Sequence, residues 1–264
     1  MDLATEKILA EVREGVGWLT INNPERRNAI SLDMWDAMRQ AVEAFGADPV
    51  VRCVVLRGAG EKAFASGADI SQFEKERADA EAAMRYATIS RAGRDALLGL
   101  EKPLLAMIRG FCMGGGLGIA MTADLRIASA DAVLGIPAAR LGIAYDAQNV
   151  ANLVSLVGPS RAKDILITGR RLGAEEALAM GLVNRVVSVA ELENTCTEIT
   201  AQIVDNAPLS MRASKLTVKE ILRGEGARDD ALIVDLGREC FDSEDYQEGR
   251  RAFMEKRRPQ FNGR

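Results

Sequence analysis

Apolar residues recur along this chain with two different spacings, and the spacing changes where turn residues fall. Ile8, Ala10 and Val12 alternate with polar neighbours, the period of a half-buried strand. Gly15-Val16-Gly17 then turns the chain into a second strand, Trp18-Leu19-Thr20-Ile21. Asn22-Asn23-Pro24 breaks the pattern, and Ser31 caps a helix whose apolar face is Met34, Met38, Val42 and Phe45. Val51 to Leu56 is almost continuously apolar, as in a strand covered on both faces. Residues 78–100 read as helix, and Leu104 to Ile108 as strand. A helical run, Leu117 to Met121, and two short strands at 124–128 and 133–136 follow. The order strand, strand, helix repeats, which predicts an α/β core of stacked ββα units. Beyond about residue 188 the pattern is helical only, over Ala190–Asp205, Pro208–Arg223, Asp229–Phe241 and Glu244–Lys256. The expected division is a core over 1–188 and a helical region over 189–264.

Two stretches do not fit a purely structural pattern. Ala63-Phe64-Ala65-Ser66-Gly67-Ala68-Asp69-Ile70 and Met113-Gly114-Gly115-Gly116-Leu117 each follow an apolar strand and lead into a helix. Both are small or glycine-rich where the backbone must approach something closely. Together they can aim two backbone N–H groups at one oxygen, the geometry of an oxyanion hole.

Composition narrows the chemistry. With 264 residues, 48% of them hydrophobic, the chain can bury a sizeable core. Its net charge of −4 disfavours nucleic acid as a partner. Leu104 to Ile108 is far too short to cross a bilayer, and the acidic N-terminal stretch argues against a cleaved leader, so a cytoplasmic location is expected. Cys53, Cys112, Cys196 and Cys240 lack metal-binding spacing and read as reduced core thiols. No metal site is expected. There is no histidine, which removes Ser-His-Asp and Cys-His triads. Proton transfer must therefore use Asp, Glu, Tyr, Cys, Lys or water.

Four segments in order resemble the crotonase family of enoyl-CoA hydratases and isomerases. Asn22 to Ala29 is similar to the family's N-P-x-x-x-N-A loop, and Ala63 to Ile70 to its A-F-x-x-G-A-D loop. Ile108-Arg109-Gly110 with Gly114-Gly115-Gly116 and Asp124 resembles its glycine-rich element, and Gly173–Val187 its A-x-x-A-x-x-x-G-L-V-x-x-V segment. Leu141–Tyr145, Phe241–Gly249 and Phe253–Pro259 further resemble methylmalonyl-CoA decarboxylase-like members.

The resemblance implies a crotonase-like spiral acting on an acyl-CoA thioester, with the amides of Ala68 and Gly115 holding the thioester oxygen of an enolate. It implies a coenzyme A path along Arg26, Ala65, Ala68, Asp69 and Ile70, with Phe253 and Lys256 near the adenine or a phosphate, in part across a subunit boundary. Coenzyme A arrives with the substrate, with no permanently bound cofactor. A homotrimer or dimer of trimers is implied, with the helical region supplying trimer and CoA contacts. The two family hydratase glutamates fall at Gly118 and Ala138, neither of which moves a proton. Tyr145 falls where decarboxylase-like members carry a tyrosine, and Asp146 where dienoyl-CoA isomerases carry a base; Asp146 equally suits a helix cap. Those decarboxylase-like members carry histidine where this chain has Ala68. Isomerisation or decarboxylation is favoured over hydration. The alternatives are hydration by other groups and a non-catalytic acyl-CoA-binding protein.

Overall fold

The structure is a computed structural model, and it describes residues 1, 3–69 and 80–264. Strands β1 (Ile8–Arg13) and β2 (Val16–Ile21) pair as an antiparallel hairpin. Helix α1 (Leu32–Ala47) starts at Ser31 and buries Met34, Met38, Val42 and Phe45, as the periodicity predicts. Three strand–strand units follow. They are β3 (Cys53–Gly58) with β4 (Ala63–Ala65), β5 (Leu104–Ile108) with β6 (Phe111–Met113), and β7 (Leu125–Ser129) with β8 (Val133–Gly135). Their helices are α2 (Ala80–Gly99), α3 (Gly115–Ala120) and α4 (Ala147–Thr168).

In each unit the first strand joins a six-stranded sheet and the second a four-stranded one. Equivalent strands enter at the same point of each repeat, so β2, β3, β5 and β7 run parallel, as do β4, β6 and β8. The stacked ββα reading therefore describes the observed core. The six-stranded sheet is covered on both faces. Leu19, Ile21, Val54 and Leu56 pack with α1 residues such as Phe45. Trp18, Cys53, Val55 and Leu105 pack instead with Leu192, Cys196 and Ile199 of α6 (Leu192–Val204). This double cover explains why β2 is buried throughout.

Two strands go beyond the sequence reading. Strand β9 (Arg171–Gly173) pairs antiparallel with β8, and β10 (Arg185–Val187) pairs parallel with β7, on either side of α5 (Ala174–Met180). Both are three residues long, too short for a period to register. Buried Arg126 pins the β10 edge by donating to the Leu182 carbonyl at 2.8 Å and the Asn184 side chain at 3.4 Å. Helix α4 is interrupted at Gly158, at φ 76° and ψ 165°, just before Pro159, so residues 147–168 form two helical segments joined at a kink.

The remaining helices are α6, α7 (Pro208–Leu222), α8 (Asp230–Asp242) and α9 (Glu244–Glu255). The C-terminal tail folds back on the start of α9. Buried Asp245 accepts from the N–H groups of Asn262 and Gly263 at 2.7 and 2.9 Å. Among the described residues, no helix is long and apolar enough to cross a membrane. All four cysteines are free, and burial pushes the Cys53 and Cys196 thiols up to about 12.

Candidate active site

The loop after β4 is held by the loop after β2. Asn28 is buried and has φ 56°. Its carboxamide donates to the Ala59 carbonyl at 2.9 Å and the Ala63 carbonyl at 2.6 Å, and accepts from the Asn23 N–H at 2.9 Å. The asparagine of the Asn22–Ala29 motif is thus a structural knot. Beyond it, the Ser66 N–H donates to the Arg27 carbonyl at 3.0 Å, the Ile30 N–H to the Gly67 carbonyl at 2.8 Å, and the Asp69 N–H to the Ile30 carbonyl at 3.0 Å. With the groups on either side turned toward Ile30, the Ala68 N–H points the other way, by the alternation of an extended chain.

On that other side stands Gly115. A side chain built on Gly115 would place its first carbon 3.6 Å from the Ala68 nitrogen. Gly115 opens α3, so its N–H has no partner within the helix. Among the described residues, neither the Ala68 nor the Gly115 N–H reaches a backbone carbonyl. Two features set this geometry. Gly114, at φ 52° and ψ −116°, holds a turn that side-chain-bearing residues resist. At Gly116 a first side-chain carbon would lie 2.2 Å from the Ala65 carbonyl oxygen, so only glycine lets α3 press on the end of β4.

Tyr145 comes to the same place. Its hydroxyl donates to the Gly114 carbonyl at 2.9 Å, next to Gly115. Burial raises the phenol well above the ordinary tyrosine range, so it is neutral. Asp146 is the N-cap of α4: one carboxylate oxygen accepts from the N–H groups of Gln148 and Asn149 at 3.1 and 3.2 Å. Its other oxygen meets Arg94 of α2 at 3.5 Å. Both oxygens therefore have donors, and the helix-cap reading of Asp146 describes its observed contacts.

Gly118, one turn into α3, is lined by side chains from α4 and the segment before it. A first side-chain carbon there would lie 3.0 Å from the Tyr145 hydroxyl and 3.0–3.1 Å from both polar atoms of the Asn149 side chain. Ala138 is buried nearby in sequence, in the turn that follows β8.

The other expected site residues divide. Arg26, half-exposed, pairs with buried Asp69 at 3.2 Å. Ala65 is sealed inside, at 0% exposure, because α3 closes over its carbonyl. The partly open surface of this loop belongs to Ser66 and Ala68. Ile70 lies outside the described residues. Phe253 and Lys256 are exposed near the end of α9, which packs on α8. Much of the basic tail is used within the fold: Arg251 and Arg257 pair with Glu248, and Arg250 lies over the Tyr246 ring. Arg94 and Asn149 were not expected at the site. No local pattern sets Asn149 apart from its polar neighbours Gln148 and Asn152.

Comparison with known proteins bears on the family and the fold. The family model for enoyl-CoA hydratase/isomerase matches residues 11–264. A short-chain-enoyl-CoA hydratase of Clostridium acetobutylicum is 38% identical over 251 residues, 95% of each chain. A crotonyl-CoA hydratase of Syntrophomonas wolfei is 34% identical, covering 98% of this chain and 99% of that one. A solved structure of an enoyl-CoA hydratase/carnithine racemase from Magnetospirillum magneticum superposes with TM-score 0.94 at 33% identity, over 99% of this chain and 97% of the other. The repeating ββα core, the facing Ala68 and Gly115 loops and these matches along nearly the whole length place the chain in the enoyl-CoA hydratase/isomerase, or crotonase, family.

Proposed function

We propose that this protein acts on an acyl-CoA thioester and stabilises its enolate between the N–H groups of Ala68 and Gly115. The observation that carries this reading is that, among the described residues, the N–H groups of Ala68 and Gly115, 47 positions apart, meet no backbone carbonyl and lie side by side, where one thioester oxygen can accept from both. The Arg26–Asp69 pair next to Ala68 is the proposed entry of the CoA path, and Ile70 is assigned to that path from the sequence resemblance alone. Phe253 and Lys256 serve that path from a neighbouring subunit of a homotrimer or dimer of trimers in the cytoplasm.

Among reactions that share an enolate, decarboxylation and isomerisation are favoured over hydration. Gly118 and Ala138 offer no acid or base. Isomerisation needs a base, and the candidate Asp146 has donors on both oxygens. Decarboxylation needs none for its first step. The bond from the α-carbon to the carboxylate breaks, CO2 leaves, and the electron pair enters the thioester as an enolate. A proton then adds at the α-carbon, from water or from the Tyr145 hydroxyl after it turns away from the Gly114 carbonyl.

The test is calorimetry with acyl-CoA thioesters and the matching free acids, followed by mass-spectrometric screening of products. Thioesters are expected to bind and the free acids to give no heat. Equal binding of both, or of neither, removes the reading; binding without product from any thioester reduces it to a non-catalytic acyl-CoA-binding protein.

A further inference from the structure

Asn149 is a buried polar residue whose side chain the fold leaves without a partner. It is 4% exposed, and among the described residues its carboxamide makes no hydrogen bond; only its backbone N–H does, to Asp146. Its polar atoms are not sealed off like those of a fully buried unsatisfied group, so water or a ligand can complete them.

Its position says what would complete it. The carboxamide lies beside Gly118, in the space a side chain there would fill, next to the Tyr145 hydroxyl. Gly118 is three residues along the helix that Gly115 opens, a rise of ~4.5 Å. With a thioester oxygen on the Gly115 N–H, acyl carbon 3 lies two bonds of ~1.5 Å from the thioester carbon, so an oxygen on carbon 3 comes within reach. The Tyr145 hydroxyl has its proton engaged by Gly114 and offers a lone pair, while the Asn149 amide offers both a donor and an acceptor.

Building on the acyl-CoA reading above, we infer that Asn149 is a specificity-determining residue, which selects thioesters carrying an oxygen substituent at acyl carbon 3. That oxygen belongs to a hydroxyl in a 3-hydroxyacyl group or to a carboxylate in a malonyl-type group. Asn149 binds it without taking part in proton transfer.

The experiment is stopped-flow displacement of butyryl-etheno-CoA, read before turnover. Two matched pairs are compared: 3-hydroxybutyryl-CoA against butyryl-CoA, and methylmalonyl-CoA against isobutyryl-CoA. The native protein is expected to prefer the oxygenated member of at least one pair by ~10-fold, the worth of one good hydrogen bond. The preferred pair identifies the oxygen as hydroxyl or carboxylate. Asn149→Leu is expected to reduce the preference to within ~2-fold while butyryl-CoA affinity holds. Gly118→Ala pushes a methyl group against the Asn149 carboxamide while leaving residue 149 itself unchanged, is expected to lower the preference too, and carries the test if Asn149→Leu fails to fold. No preference in the native protein, or a preference that survives both variants, overturns the inference. If butyryl-CoA still binds tightly in that case, the acyl-CoA reading stands; if no thioester displaces the probe, both fall.

Discussion

The Asn28 carboxamide donates to the Ala63 carbonyl at 2.6 Å, tying the loop after β2 to the strand that carries the Ala68 loop. Ala68 is therefore positioned by a fully buried residue 40 places earlier. Asn28→Ala leaves the Ala59 and Ala63 carbonyls and the Asn23 N–H without this partner, a loss of about 3 kcal/mol in stability. Any acyl-CoA activity is expected to fall ~100-fold in protein that still folds, because the Ala68 N–H loses its aim. Denaturant melts and steady-state kinetics measure the two effects; unchanged kinetics would free the Ala68 loop from this knot.

Tyr145 and Asp146 separate the leading mechanisms. Asp146→Asn keeps an oxygen for the Gln148 and Asn149 N–H groups but weakens the Arg94 contact, so stability is expected to drop by less than about 1 kcal/mol. A decarboxylase tolerates this change and suffers from Tyr145→Phe, whereas an isomerase that uses Asp146 loses most of its turnover. Rates of CO2 release and double-bond migration in both variants, after melts confirm folding, decide between them. Full activity of both variants would exclude this pair and leave water or the substrate as proton carrier.

Hydration of crotonyl-CoA is expected to be slow or absent. Without a carboxylate at Gly118 or Ala138, the rate should be ~100-fold or more below that of an enzyme with a positioned acid or base. Loss of the enoyl absorbance reports it directly. A turnover matching ordinary hydratases would show that another group activates the water.

Acid should loosen the C-terminal tail first. Arg257 and Arg251 donate to the Glu248 carboxylate, and the Gln260 N–H adds a third donor, which together hold its pKa far below the ordinary glutamate range. A folded value below the unfolded one means the stabilisation is complete above about pH 4.3 and is lost as the pH falls below it. Glu248→Gln should lower the melting temperature at pH 7, and the gap to the native protein should close toward pH 3. A gap of constant size across that range would mean that the charge of Glu248 does not hold the tail.

The exposed apolar surface of the last two helices should carry self-association. Phe253 and Met254 are 82% and 80% exposed, and Phe241 of α8 is 66% exposed. Such a surface is unusual on a soluble monomer. Light scattering is expected to give three or six times the chain mass of 28.5 kDa, and Phe253→Ser with Met254→Ser to reduce it. An assembly of unchanged size would place the interface elsewhere.

The order of strands and helices was legible in the sequence because burial leaves a period on each element, as in Met34, Met38, Val42 and Phe45 of α1. The two close-approach loops were legible because only small residues fit them, and the missing histidine and carboxylates bounded the chemistry before any fold was known. What the tertiary structure decided are contacts between residues far apart in the chain. Strands β9 and β10 exist through pairing to β8 and β7, since three residues have too little period of their own. The Arg94–Asp146 contact and the Tyr145–Gly114 hydrogen bond span 52 and 31 positions, and no local pattern encodes such meetings. Asn149 looked like one polar position on a helix. It became part of a site only when packing set Gly118 beside it, because the space left by a missing side chain is a property of two elements together.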